Sequence, residues 1–218
     1  FPGLKVVCPA TPQDAYSLLR MAIRDDNPVL FFEHRWCYDL VGDVDDELII
    51  PIGQCALRRP GSDVTIVATS WMVVEAMQAA EILARHGVHA EVIDVRSVVP
   101  LDMDIINASV KRTGRVIIVD NDWSFCGLSA EIAAQVTESC WGFLHQPPLQ
   151  GHEVAIESET CGVMFSVWHS VLASLLLRHL RLFYTSSDPE ESVLQRVKNW
   201  MKRIAARAMR PGLAEHAT

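Results

Sequence analysis

The 218-residue sequence has no excess of basic charge: 19 Lys and Arg stand against 27 Asp and Glu, a net charge of -8. With a pI near 5.4, this excludes general nucleic-acid binding, which leaves a basic footprint over a whole domain. No CxxC spacing joins the six cysteines, Cys8, Cys37, Cys55, Cys126, Cys140 and Cys161. Scattered cysteines of this kind fit buried thiols in a reducing compartment. No secretory signal is visible. No apolar run reaches membrane length either. The strongest, 163–177, is short for a span, contains His169 and is followed by Arg178, His179 and Arg181. It reads as a buried or interface helix, so no membrane span is expected. No repeat recurs at a fixed period. The composition, 50% hydrophobic and 21% charged, is that of an ordinary globular protein.

The first organised stretch is 2–34, which reads as strand, capped helix, strand. An apolar strand covers 4–8. Thr11 can N-cap a helix, with Pro12 at its first position and Asp14 in its first turn. Ala15, Leu18, Leu19, Ala22 and Ile23 recur at helical spacing. The turn Asp25-Asp26-Asn27-Pro28 ends the helix, and 29–32 is a continuous apolar strand of the kind buried on both faces. A parallel crossover needs a sheet to pack into. This one begins on the second residue, after Phe1, so its sheet is expected to be missing. The expected layout is the end of one domain followed by a complete second one.

Residues 36–62 read as a linker with short strands. Its acidic run, Asp39, Asp43, Asp45, Asp46 and Glu47, is most simply a solvated loop. Apolar character resumes at 49–52, and 58–62 reads as a turn. Alternation then becomes regular. Strands are predicted at 64–68, 88–95 and 116–119. Helices are predicted at 71–86, stopped by Gly87, at 103–113 after Pro100-Leu101-Asp102, and at 127–142. Such alternation gives an α/β fold, an open and mostly parallel sheet with flanking helices. From about Pro147 the pattern changes to two helical segments, 163–184 and 189–209. Ser187 and Glu190 stand at capping-box spacing before the second, and its later part is basic.

Several residues could carry chemistry. Glu33-His34-Arg35 suggests acid/base work, against a strand-end polar cluster or interface contact, which is commoner. Asp120, Asn121 and Asp122 could ligate a metal, although a polar loop at a strand's carboxyl end is the commoner reading. Ser70 and Ser124 lack a GxSxG context. Cys126 precedes a helix, where a thiol can be activated, but the ordinary reading is an inert, half-buried thiol. The basic face of 189–209 could meet an acidic partner or a membrane surface, whereas a solvated helix face is usual.

Three pieces occur in order: PGLKVVCPATPQDAYSLLRMAIRDDNPVLFFEH, then IIPIGQCALRRPGSDVTIVATSWMVVEAMQAAEILARHGVHAEVIDVRSVVPLD, then SVKRTGRVIIVDNDW with GLSAEIAA. Over about 2–147 they resemble the beta subunit of the thiamine-diphosphate-dependent decarboxylase component of 2-oxo acid dehydrogenase complexes. That group includes the pyruvate, branched-chain and acetoin dehydrogenases. The resemblance implies that 1–42 is the end of a pyrimidine-binding domain, 48–147 a transketolase C-terminal-like domain, and 148–218 a divergent helical tail. It implies thiamine diphosphate and Mg in the full enzyme, not bound by this chain alone. It also implies an alpha subunit and a second beta subunit in a heterotetramer, and oxidative decarboxylation with acyl transfer to lipoyl. The activating glutamate and catalytic histidine would belong to earlier parts of the subunit, leaving this portion as scaffold and interface with no catalytic or cofactor-binding residue of its own. By position, a structural potassium ion would be held by main-chain carbonyls of Ala22, Ile23, Asp25 and Asn27. The expected location is cytoplasmic in a bacterium and the mitochondrial matrix in a eukaryote.

After Pro147 the family pattern departs, and its last strand and proline-rich stretch are not recognisable. This puts in doubt contact with the acyltransferase core, which that region serves in the family. Ser129 also replaces the second glycine of the usual GxG. The alternative is a non-catalytic interaction module retaining the fold. A third option is another transketolase-like enzyme such as a deoxyxylulose phosphate synthase, but RDDNPVLFFEH followed by IPIG fits the decarboxylase subunits better.

Overall fold

The computed structural model describes residues 2–121, 126–145 and 147–152. These lie within a compact unit, Phe1–Ala155. The predicted helices 163–184 and 189–209 lie outside the described residues.

Strand β1 (Lys5–Val7), helix α1 (Pro12–Arg24) and strand β2 (Val29–Phe31) form the expected crossover, with β1 and β2 parallel. Thr11 caps α1 as predicted, its hydroxyl oxygen accepting the Asp14 N–H at 3.1 Å. Strand β2 differs from expectation. It is not buried on both faces, and it lies at the edge of a three-stranded sheet ordered β2-β1-β6. Leu30 is 44% exposed and the following Phe32 56%.

A short 3-10 helix, Arg35–Asp39, follows. No strand forms at 49–52. Instead β3 (Ala56–Arg59) occupies part of the segment expected to be a turn. Then come β4 (Val64–Ala68), α2 (Trp71–Arg85), β5 (Ala90–Asp94), β6 (Ser97–Val99), α3 (Met103–Thr113), β7 (Val116–Asp120), α4 (Leu128–Cys140) and β8 (Leu149–His152). The five-stranded sheet has the order β3-β5-β4-β7-β8, parallel except for β3. Strands β4, β5 and β7 are buried throughout because helices cover both faces. One face packs Val67, Ile93 and Ile118 against Ile106 and Val110 of α3 and Ile132 and Val136 of α4. By strand alternation, Ile66, Val92 and Ile117 face the other way, towards α2.

Besides β3, two strands escaped the sequence. The β8 segment, Leu-Gln-Gly-His, has almost no strand propensity, yet its backbone pairs in parallel with β7 from Ile117↔Leu149 to Asp120↔His152. The sheet therefore runs past Pro147. Strand β6 is three residues long and belongs to the other sheet. It pairs antiparallel with β1, Val6↔Val99 and Val7↔Ser97. The chain changes sheets at Arg96, whose φ is 52°.

Candidate functional site

The most unusual chemistry among the described residues is a buried charge cluster that sequence reading missed. Asp14, in the first turn of α1, is fully buried, as is Asp94 at the end of β5. Arg58 of β3 bridges them. Its Nη2 donates to Asp14 Oδ2 and, at 2.7 Å, to Asp94 Oδ2, while its Nε donates to Asp94 Oδ2 at 3.0 Å. Arg96 Nη1 donates to Asp14 Oδ1 at 3.2 Å, and its Nη2 donates to the Cys55 carbonyl at 2.8 Å. The Arg96 backbone N–H donates to Asp94 Oδ1 at 3.1 Å. Buried charges must be paired, and here two carboxylates meet two guanidinium groups. Burial and then the Asp14 carboxylate push Asp94 up to about 7, against the pull of Arg58 and Arg96. The signal was present: Glu91 and Asp94 are acids in a strand covered on both faces, and each needs a partner.

A left-handed φ at a residue with a side chain costs on the order of 1–3 kcal/mol. Around Arg96, the backbone bond to Asp94 and the two side-chain bonds fix that conformation. Ser70, between β4 and α2, is another of the three such residues among those described, at φ 48°. Its hydroxyl donates to the Pro9 carbonyl at 3.4 Å, again across the two sheets.

The turn proposed for a cation lies at the C-terminal end of α1. The Asp25 N–H donates to the Ala22 carbonyl at 3.3 Å. Asp25 Oδ1 accepts the Asn27 N–H at 2.9 Å, and Asp25 Oδ2 accepts Lys5 Nζ at 2.5 Å. The hydrogen bond from Lys5, then that from Asn27, holds the Asp25 carboxyl below its usual range. The structure thus brings Ala22, Asp25 and Asn27 together. Carbonyls of a helix's last turn suit a cation, as the resemblance implies. The Asp25 carboxylate already has an ammonium partner, so any ion must rely on main-chain oxygens.

The remaining candidates resolve into structural roles. His34 Nδ1 accepts the Trp36 N–H at 3.3 Å, so its ring caps the 3-10 helix and its proton sits on Nε2 when neutral. Its ring centroid lies 4.9 Å from that of Trp36 and 6.3 Å from that of Trp71, and burial pushes its pKa down. Glu33 Oε2 accepts the Tyr38 hydroxyl at 2.9 Å. The commoner reading, a strand-end polar cluster, describes these residues. Asp120 is buried, and its Oδ2 accepts the Ser129 N–H at 2.8 Å, serving the start of α4 where Gly127 offers no side chain. Asp122 lies outside the described residues, as does Ser124. Among the described residues no cluster of His, Cys, Asp and Glu could hold a metal ion. Cys126 is exposed rather than half-buried. Burial raises the Cys8 thiol to about 11 and the Cys55 thiol to about 12, which keeps both protonated and inert.

The sequence matches the family described as Transketolase, C-terminal domain, over residues 53–156, and the Transketolase, pyrimidine binding domain, over residues 1–39. Residues 53–156 and 1–39 are thus transketolase-type domain sequence. The chain is 46% identical over 144 residues to the acetoin:2,6-dichlorophenolindophenol oxidoreductase subunit beta of Cupriavidus necator, covering 66% of this chain and 43% of the relative. The 2-oxoisovalerate dehydrogenase subunit beta of Bacillus subtilis is 43% identical, over 67% of this chain and 45% of the relative. The mitochondrial pyruvate dehydrogenase E1 component subunit beta of Dictyostelium discoideum is 42% identical, over 67% and 42%. The chain therefore spans less than half the length of these relatives. A solved split gene transketolase, described as an inactive beta4 tetramer, superposes with a TM-score of 0.69 at 23% identity, covering 84% of this chain and 60% of that one. It shares the fold of the transketolase family members. The expected kinship and α/β architecture are borne out.

Proposed function

We propose that this chain is part of the beta subunit of a 2-oxo acid dehydrogenase decarboxylase and supplies scaffold and subunit interface. The observation that carries the reading is the likeness to beta subunits of acetoin, 2-oxoisovalerate and pyruvate enzymes, 46%, 43% and 42% identical across about two thirds of this chain. The whole protein would decarboxylate a 2-oxo acid and pass the acyl group to a lipoyl arm. Its proposed partners are an alpha subunit and a second beta subunit. It would work in the cytoplasm of a bacterium or the mitochondrial matrix of a eukaryote. Among the described residues no helix is long and apolar enough to cross a membrane.

Thiamine diphosphate with Mg would serve the whole protein, the cofactor supplying a carbanion-stabilising centre when bound. Its aminopyrimidine needs a carboxylic acid on one ring nitrogen. Among the described residues Asp14 and Asp94 are committed to Arg58 and Arg96, and Glu33 to Tyr38. These acids do not fit that role, so no step is assigned to them. Potassium at the carbonyls of Ala22, Ile23, Asp25 and Asn27 belongs to the same reading. It would raise the thermal midpoint in potassium relative to choline.

The test is co-purification of the full chain with the alpha subunit of such a dehydrogenase, with decarboxylation measured in added thiamine diphosphate. Stable association, and no decarboxylation by the chain alone, is expected. Absence of association with any such alpha subunit overturns the reading and favours the interaction module.

A further inference from the structure

The two sheets have separate apolar clusters among the described residues. Val7, Leu18 and Ile50, with Val29, Phe31 and Ile52 against them, serve the first sheet. The larger cluster of Val67, Ile93, Ile118 and their neighbours serves the second. Apart from the His34 and Trp36 rings, which meet Trp71 beyond β2, what crosses between the sheets among the described residues is mainly polar. Asp14 comes from α1, Arg58 from β3, and Asp94 and Arg96 from the end of β5 and the corner after it. Every acceptor bond that Asp14 makes beyond its own helix goes to Arg58 or Arg96. Arg96 does double duty. Its side chain holds Asp14, and its left-handed backbone turns the chain into β6, which pairs with β1. The Cys8 N–H donates to the Arg96 carbonyl at 2.7 Å, extending that connection. A change at Asp14 therefore reaches the corner that carries β6, and through β6 the strand that precedes α1.

We infer that Asp14, Arg58, Asp94 and Arg96 form a latch between the sheets, whose opening releases β1, α1, β2 and β6 as one unit while the five-stranded sheet stays folded. The inference is independent of the proposed enzymatic role, because it concerns which parts of this chain open together. Asp14 ties α1 to two guanidinium groups from the five-stranded-sheet region, and among the described residues neither of these two apolar clusters reaches across the junction. Buried ionic links of this kind set a defined arrangement rather than large net stability. Regions joined mainly by polar contacts open separately from cores.

The test is amide hydrogen exchange of the full chain, followed by mass spectrometry, in Asp14→Asn and in the milder Arg58→Lys. Both variants are read against Glu91→Gln, which loosens a buried acid outside the cluster, paired with Arg112. At least tenfold faster exchange is expected in 5–31 and in 97–99 for Asp14→Asn, with a smaller rise for Arg58→Lys. Amides in 64–68, 90–94 and 116–120 should be unchanged. Glu91→Gln should leave 5–31 unaltered. An equal rise throughout the chain, a rise in 12–24 without one in 97–99, or no rise in either variant overturns the latch. If Asp14→Asn does not fold, Arg58→Lys decides by the same three readings.

Discussion

Strand β4 is buried along its whole length, whereas β2 leaves Leu30 44% exposed and the following Phe32 56% exposed. Both are short, apolar and parallel to a neighbour. The difference lies in what surrounds them. Strand β4 sits in the middle of five strands with helices on both faces, so each of its side chains meets another. Strand β2 ends a sheet of three, and α1 leaves Leu19 46% and Ile23 75% exposed beside it. The first sheet depends on its neighbour for β6 and for the guanidinium groups around Asp14. The second has its own core. An apolar run in sequence reports that a residue is suited to burial, not that the chain supplies the surface that buries it.

Substitutions should separate the two regions. The largest effect is expected from Ile118→Ala, because Ile118 is about fully buried between β7 and two helices. It should lose about 2–5 kcal/mol in urea unfolding, and the full loss should be seen by probes in the five-stranded sheet. Asp14→Asn leaves Arg58 and Arg96 with one carboxylate. It should cost about 3 kcal/mol, at the low end for a buried pair because Arg58 reaches solvent. Unlike the first, this loss should appear in far-UV signals from α1 before those from the larger sheet.

The pH dependence gives a further contrast. The folded-state pKa of Asp94 is raised to about 7, so the folded chain holds a proton there that the unfolded chain has released. Its contribution to stability is complete below the ordinary carboxylate range and is lost as pH rises towards 7. Asp94→Asn should remove that falling component from urea midpoints measured between pH 4 and pH 8. His34 acts with the opposite sign, since its lowered pKa contributes stability that is lost as pH falls below the ordinary histidine range. His34→Gln controls for it. The smallest effect is expected from Thr11→Ala, which removes the α1 cap and should cost about 1 kcal/mol, confined to the first region.

Much of the fold was legible in the sequence. The cap Thr11-Pro12 placed α1, Gly87 sits in the left-handed conformation just past α2, and the range of α3 matched to the residue. Gly114 ends α3 at φ 68°, with the His145 ring where a side chain would sit. What escaped were elements formed by pairing rather than by propensity. Leu149-Gln150-Gly151-His152 is a strand because β7 offers an open edge, and Ser97–Val99 is one because β1 does. Of the proposed cation site, the sequence marked the turn that ends α1, where Asp25 accepts the Asn27 N–H. The charge cluster was not, because Asp14 is separated from Arg58 by 44 residues and from Arg96 by 82, and only folding joins them. Asp14 alone looked like an ordinary acid in a helix's first turn.

The contrast between the two regions is tested most directly by native-state hydrogen exchange on the unaltered chain in low denaturant. Amides of β4, β5 and β7 should open only with global unfolding, while those of β1, α1 and β2 should open together at roughly 2 kcal/mol less. A single opening free energy shared by both regions would contradict it.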